Sequence, residues 1–222
     1  MKYVVTIDGP TGSGKSTVSR LLAKRLNCFY LDTGAMYRVV ALALKRADVP
    51  LTDEPAIAKI CDNLHIRFVS EDDDDRVYMG DEDVSKTIRE SDMDLLASNV
   101  SKLDVVRKAM TSLQRKIGSQ GPLVAEGRDM GTVVFPEAEH KFYLDATVEV
   151  RVERRFQERK NRRESITREE VREDLIKRDR QDMNRSLAPL KPAVDAVIID
   201  TTNLTLDQVV DPIVAEIQRK RE

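Results

Sequence analysis

The sequence predicts an α/β fold on a mostly parallel sheet of about five strands with helices on both faces. Short β-branched runs alternate with stretches of helical periodicity, and a glycine-rich segment joins the first run to the first helix. Strands separated by helices need crossover connections, and crossovers make neighbouring strands parallel. At 222 residues, with 41% hydrophobic and 34% charged side chains, the chain suits one domain spanning 1–222 with a small insertion.

Tyr3 to Ile7 reads as the first strand, ended by Asp8-Gly9-Pro10, and Val18, Leu21, Leu22 and Leu26 mark the helix after the glycine-rich loop. Phe29 to Leu31 is a second short strand. Met36, Val39, Val40, Ala43 and Leu44 then form a helical stripe up to a break at Ala47-Asp48-Val49-Pro50, and a helix from about Glu54 to Leu64 follows. His65 to about Ile88 holds two strand-like stretches, His65 to Ser70 and Arg76 to Met79, with Gly80 at a turn. This hairpin interrupts the alternation and reads as an insertion. Leu103, Val106, Met110, Leu113 and Ile117 repeat at helical spacing until Gly118 stops them. Leu123 to Ala125 and Phe142 to Leu144 are short buried strands. Helices are expected from Thr147 into an arginine cluster and from Thr167 to about Asp182, then a last strand, Val197 to Ile199, and a last helix, Leu206 to Ile217.

No apolar run nears the roughly 20 residues that span a bilayer, and the apolar start of the chain breaks at Asp8-Gly9 before reaching signal-peptide length. Cys28 and Cys61 lack metal-ligand spacing and make no disulfide framework, so a reducing cytoplasm is expected. His65 and His140 stand apart from any partner pattern and read as structural. Net charge is −2, but its distribution is uneven. Eight acidic residues between Glu71 and Asp83 read as a solvated loop, whereas Arg151 to Arg185 holds 13 basic against nine acidic residues.

Gly9-Pro10-Thr11-Gly12-Ser13-Gly14-Lys15-Ser16 fits G-x-x-x-x-G-K-[ST] at every position, with Thr17 continuing the helix start, and it lies between strand and helix as that motif requires. The glycines let backbone N–H groups converge on phosphate oxygens, and the helix N-terminus adds partial positive charge. Lys15 reaches the β- and γ-phosphates of a bound nucleotide, and the Ser16 hydroxyl can ligate Mg²⁺. Small-molecule kinases, GTPases, motor or transporter ATPases and helicases share this loop. An Asn-Lys-x-Asp guanine reader is missing from the sequence. Val124-Ala125-Glu126-Gly127 comes nearest to a strand ending in a metal- or water-directing carboxylate, and Gly-Arg-Asp follows Glu126. Thr33 and Arg38 follow the second strand, and Arg128 and Asp129 follow the strand Leu123 to Ala125. Both pairs are expected at the carboxyl edge of the sheet, facing one crevice, where guanidinium groups can grip a phosphate.

Gly9 to Thr17, LDTGAMYR (Leu31 to Arg38), ASNVSKLDVVR (Ala97 to Arg107), EGRDMGTVVFP (Glu126 to Pro136) and RDRQDMNRSLAPL (Arg178 to Leu190) together resemble the bacterial cytidylate kinases over nearly the whole chain. The resemblance implies a P-loop nucleoside monophosphate kinase core, a small antiparallel monophosphate-binding insertion at about 65–88 and a helical lid at about 151–163. It also implies transfer of a phosphoryl group from ATP to CMP, with dCMP a second substrate. Arg38 and Arg128 would bind the CMP phosphate, with Thr33 and Asp129 lining the acceptor site. Ser98, Arg107 and Arg185 match cytosine-reading positions, and Arg178 and Asp182 match those facing the ribose.

Lys15, Arg38, Arg128 and Asp129 would then carry catalysis by alignment and charge neutralisation. An ionised acceptor phosphate needs no general base, and an arginine-rich lid would exclude water. Arg151, Arg155, Arg159 and Arg162 fall near one helical face, with Arg154 and Arg163 beside them. The nearest alternatives are kinases of the same core acting on UMP, AMP or a phosphate-free acid. A rival class, an ATPase binding nucleic acid through the basic helix, is disfavoured because Phe156 is the only aromatic there. The expectation is a cytoplasmic monomer with no nucleic-acid or membrane partner.

Overall fold

The computed structural model describes residues 3–71 and 74–219. These divide into two compact units, one formed by the N-terminal segment through Tyr30 together with Gly118 onward, the other by Leu31–Ile117.

The first unit is organised by the sheet. Strands β1 (Val4–Asp8), β2 (Phe29–Asp32), β6 (Leu123–Gly127), β7 (His140–Asp145) and β8 (Val197–Asp200) lie in the order β2-β6-β1-β7-β8. β1 runs parallel to β6, with Val4 opposite Leu123 and Asp8 opposite Gly127, and parallel to β7, which is parallel to β8. The expected five-stranded α/β architecture is therefore present. Period-two alternation on β1 sends Val5 and Ile7 into a core shared with Val124, Phe142 and Leu144, Val18 and Leu22 of α1 (Lys15–Leu26), and Val209, Val210, Ile213 and Ile217 of α8 (Leu206–Arg219). Thr6 points to the other face, where Gly131 of a short π-helix, Met130–Val134, approaches so closely that a Cβ there would lie 3.0 Å from the Thr6 hydroxyl.

α1 ends where Asn27 turns left-handed (φ 50°) and Cys28 N–H donates to the Ala23 carbonyl at 2.9 Å, a close that the short polar Asn side chain tolerates. α6 (Val148–Asn161) and α7 (Arg168–Asn184) pack through Val152, Val171 and Leu175, and α7 opens with a capping box between Thr167 and Glu170.

In the second unit α2 (Thr33–Arg46) is capped by the Asp32 carboxylate, which accepts from Ala35 N–H at 2.8 Å, and nine of its fourteen residues are buried. α3 (Glu54–Asp62) starts from Asp53 with a proline in its first turn, the place where a missing N–H costs least. The inserted hairpin pairs β3 (Ile66–Glu71) antiparallel with β4 (Asp74–Met79), Ile66 facing Met79, and β5 (Glu82–Asp83) adds a short third strand. α4 (Ser91–Val100) was not foreseen from the sequence. Its buried positions Met93, Ala97 and Val100 have helical spacing, but an exposed Leu95 and the polar residues between them blur the stripe. α5 (Asp104–Gly118) completes the unit. The acidic run is not the loop its charge suggested: Glu71 lies in β3, Asp74 and Asp75 in β4 and Glu82 and Asp83 in β5, because strand pairing holds the backbone while charged side chains can stay in water; Asp72 and Asp73 lie outside the described residues. No helix among the described residues is long and apolar enough to cross a membrane.

Candidate active site

The glycine-rich loop between β1 and α1 takes backbone forms that favour glycine. Gly9, Gly12 and Gly14 have φ of +147°, +80° and +90°. Gly9 admits nothing larger, since a Cβ would sit 2.0 Å from the Leu144 carbonyl oxygen. Gly14 is the N-cap of α1 and offers no side-chain cap, so the N–H groups of the first helical turn stay available to an anion. Lys15 is buried over this loop, its Nζ donating to the Pro10 carbonyl at 2.6 Å. Burial lowers its amine to about 7, helped by the nearby charges of Arg128 and Arg178 and opposed by Glu126 and Asp8. A bound polyphosphate would reverse that balance by supplying the missing counter-charge.

Ser16 donates from its hydroxyl to Glu126 Oε2 at 3.0 Å, and the Tyr30 hydroxyl donates to the other oxygen of the same carboxylate. A hydroxyl and a carboxylate meeting at the phosphate loop are hard oxygen donors of the kind that, with phosphates and water, suit Mg²⁺. The sequence marks Glu126 as the carboxylate nearest to ending an apolar strand, but the Gly-Arg-Asp that follows it kept it out of the predicted site. Asp8 was missed too. Its buried carboxylate accepts from Met130 N–H at 2.9 Å and Gly131 N–H at 2.8 Å, tying the end of β1 to the turn that carries Arg128 and Asp129. Burial pushes this carboxyl up to about 6, the two N–H bonds pulling against it and Asp129 adding to it.

Arg128 donates through Nε to Asp182 Oδ2 at 2.9 Å and through Nη2 to the Thr11 hydroxyl at 2.9 Å. Burial works against its charge, but Asp182, Glu126 and Asp179 outweigh that and hold it charged. Burial likewise pushes the Asp182 carboxyl up, and Arg128, Arg178 and Arg185 more than offset it, leaving the group below the usual range. Asp129 is buried 3.6 Å from Arg185 Nη2, and Arg185 Nε donates to the Ala188 carbonyl at 2.6 Å. In this unit the structure thus gathers Thr11, Lys15, Arg128 and Asp129 with Arg178, Asp182 and Arg185 of the α7 region.

The arginine cluster departs from the sequence reading at its first member. Arg151 is buried and directed at the loop backbone, donating to the Ala146 and Thr11 carbonyls at 3.0 and 3.2 Å and to Asp179 Oδ2 at 2.5 Å. It sits buried at the base of α6 and not on an exposed lid surface, because its own backbone and guanidinium meet the glycine-rich loop at Gly12 and Thr11. Arg154 donates to the Thr201 hydroxyl and carbonyl, and Thr201 in turn donates to the Ser13 carbonyl at 3.0 Å. Further along, Arg155 and Arg162 meet Glu158, and Arg159 meets Glu164 and Asp174.

In the second unit Thr33 is buried at the first turn of α2, and Arg38 one turn on pairs with Asp94 of α4, Nε at 3.1 Å and Nη2 at 2.9 Å from Oδ1. At Gly34 a Cβ would lie 3.1 Å from the capping Asp32 Oδ1 and 3.4 Å from Arg38 Nη1. Ser98 and Arg107 are both buried and converge on Ser101. Its hydroxyl donates to the Ser98 carbonyl at 2.9 Å and its carbonyl accepts from Arg107 Nη1 at 3.3 Å. The Arg107 guanidinium also lies 5.7 Å from the centre of the Tyr37 ring.

A family model described as cytidylate kinase matches residues 5–219. The chain belongs to the cytidylate kinase family. It is an enzyme of that family, a nucleotide-binding kinase. Curated relatives named cytidylate kinase include one from Citrifermentans bemidjiense, 49% identical over 208 residues covering 94% of this chain and 89% of the relative. Another, from Thermotoga petrophila, is 44% identical over 221 residues covering 99% of both. Among solved structures, a gluconokinase from Sinorhizobium meliloti 1021 superposes with a TM-score of 0.51 at 14% identity, covering 98% of this chain and 93% of its own, a likeness of fold alone. His140, buried in β7 with its ring edge-on to Tyr3, takes a packing role, and neither Cys28 nor Cys61 is in a disulfide among the described residues.

Proposed function

We propose that the chain transfers the γ-phosphoryl group of ATP to CMP, and to dCMP, giving the nucleoside diphosphate and ADP. The observation that carries the reading is the loop of Gly9 to Ser16. Its uncapped helix start, buried Lys15 and Ser16–Glu126 oxygen pair sit beside the anchored Arg128, in a chain whose residues 5–219 match this family.

ATP binds with its phosphates on the N–H groups of Gly9 to Thr17. Lys15 takes up a proton as the polyphosphate replaces bulk water, and its ammonium neutralises charge on the transferring group. Ser16 and Glu126 are the residues that would hold Mg²⁺, which when bound screens the phosphate oxygens from one another. Arg38 and Arg128 each present a guanidinium to the acceptor phosphate, and Asp94 and Asp182 orient those guanidinium planes beforehand. The acceptor oxygen is ionised at neutral pH, so Asp129 orients Arg185 and takes no proton. Thr33 lines the acceptor site, Ser98, Arg107 and Arg185 read cytosine, and Arg178 and Asp182 face the ribose. Two cysteines outside any disulfide among the described residues suit a reducing cytoplasm.

A coupled ADP-release assay with ATP and a panel of CMP, dCMP, UMP and AMP tests this. CMP is expected to give the highest kcat/KM, dCMP to follow, and UMP and AMP to trail by at least tenfold. Equal turnover of AMP or UMP would remove cytidine from the assignment while leaving a monophosphate kinase.

A further inference from the structure

Two arginines meet at one residue of the phosphate loop. Arg128 donates to the Thr11 hydroxyl at 2.9 Å and Arg151 to the Thr11 carbonyl at 3.2 Å. Each is paired with a carboxylate of α7, Arg128 with Asp182 and Arg151 with Asp179, three residues apart and so on one helical face. Behind the loop the backbone of Arg151 also closes the space at Gly12, where a Cβ would fall 2.8 Å from the Arg151 carbonyl oxygen. We propose that Arg151 and Asp179 are positioning residues of the donor site, a buried clamp that fixes the Thr11–Gly12 peptide plane so that the loop presents its N–H groups to the nucleotide phosphates.

The physical basis is the rigid trans peptide. Its C=O and N–H point in opposite directions, so holding the Thr11 carbonyl against Arg151 turns the Gly12 N–H to the opposite side of the same plane. Loop glycines leave the other dihedrals soft, and without an anchor this plane could rotate at little cost. Arg151 suits the task because a planar guanidinium can serve the Ala146 carbonyl, the Thr11 carbonyl and the Asp179 carboxylate at once, a fork that an ammonium group does not reproduce. Asp179 depends on the same contact. Its Oδ1 is buried with no hydrogen-bond partner among the described residues, so the hydrogen-bonded pair with Arg151, with Arg128 nearby, compensates its charge.

The inference rests on the kinase reading, and binding of MgADP without acceptor, by calorimetry on the full chain, separates the two. Arg151→Lys should fold, weaken MgADP and raise KM for ATP at least tenfold, while the Kd for CMP alone stays within twofold. Because removing one partner of a buried pair can unfold the unit, the second variant is Arg151→Met with Asp179→Leu, which exchanges the pair for apolar side chains. Its melting temperature should return close to that of the wild type while MgADP stays at least tenfold weaker. A folded double variant that binds MgADP within twofold of the wild type would show the clamp to be stabilising only and overturn the proposal. If the wild-type chain itself fails to bind MgADP, the kinase reading falls and takes the clamp with it.

Discussion

Gly12 and Gly14 offer a paired perturbation in which backbone strain and steric exclusion can be told apart. Both have positive φ, +80° and +90°, so alanine at either should cost about 1–2 kcal/mol for the unfavourable conformation alone. At Gly14 a Cβ would meet only Arg154 Nη1 at 3.8 Å, an ordinary contact, and the cost ends there. At Gly12 the Cβ would lie 2.8 Å from the Arg151 carbonyl oxygen and 3.0 and 3.1 Å from its Cβ and Cα. Those atoms belong to α6, whose Arg151 is anchored by a buried ion pair, so they cannot yield as a flexible side chain would. Overpacking of this kind adds about 1–3 kcal/mol. The expected loss is thus about 2–5 kcal/mol for Gly12→Ala and about 1–2 kcal/mol for Gly14→Ala. Both residues lie in the same unit, so urea titrations followed by far-ultraviolet circular dichroism read the same transition for each. Equal losses, or a larger loss at Gly14, would show that α6 gives way and that the argument from the Arg151 backbone is wrong.

Two other substitutions probe the charges at the loop. Lys15→Met should lower kcat by at least a hundredfold, because it removes a charge that interacts fully only when the phosphates are transferring. It should also gain stability relative to the wild type as pH falls from about 10.5 towards 7. The folded amine is lowered, so in that window the unfolded chain binds a proton that the folded chain does not, and the wild type loses stability as pH falls. Urea midpoints at pH 7, 8.5 and 10 check the sign, and a gap that widens in the alkaline direction would contradict it. Asp8 behaves the opposite way. Its folded carboxyl is raised from 3.8 to about 6, so the folded chain binds the extra proton and the Asp8 contribution to stability falls as pH rises through that interval. Asp8→Asn should remove that part of the wild-type pH dependence between pH 4 and 6, and an unchanged slope would mean the carboxyl titrates elsewhere.

Legibility in the sequence followed the range of the interactions. The loop from Gly9 to Ser16 could be read because its glycine positions and its strand–helix setting are properties of neighbouring residues. The same holds for the strand runs Tyr3 to Ile7 and Leu123 to Ala125 and for the helix stop at Gly118. α4 was not read because Leu95 and its acidic first turn break the apolar stripe that marks a helix. The π-helix Met130–Val134 was not read because five residues closed by longer hydrogen-bonded turns leave no periodic trace. Arg151 was placed in a lid by the family resemblance, and helical spacing put it on one face with Arg155, Arg159 and Arg162; neither says what that face meets.

The sequence by itself therefore determined the alternation of strands and helices, the inserted hairpin, the phosphate loop and the family, all written in local pattern or in extended runs of motif. Only the tertiary structure decided which partner each charged side chain takes. Ser16 and Glu126 are 110 positions apart, Thr11 and Arg128 are 117, and Arg38 and Asp94 are 56. No periodicity links residues at such separations. They meet because parallel crossovers bring strand ends to one edge and helix packing brings α4 to α2, and each buried arginine then takes the carboxylate whose position lets the pair offset its loss of hydration.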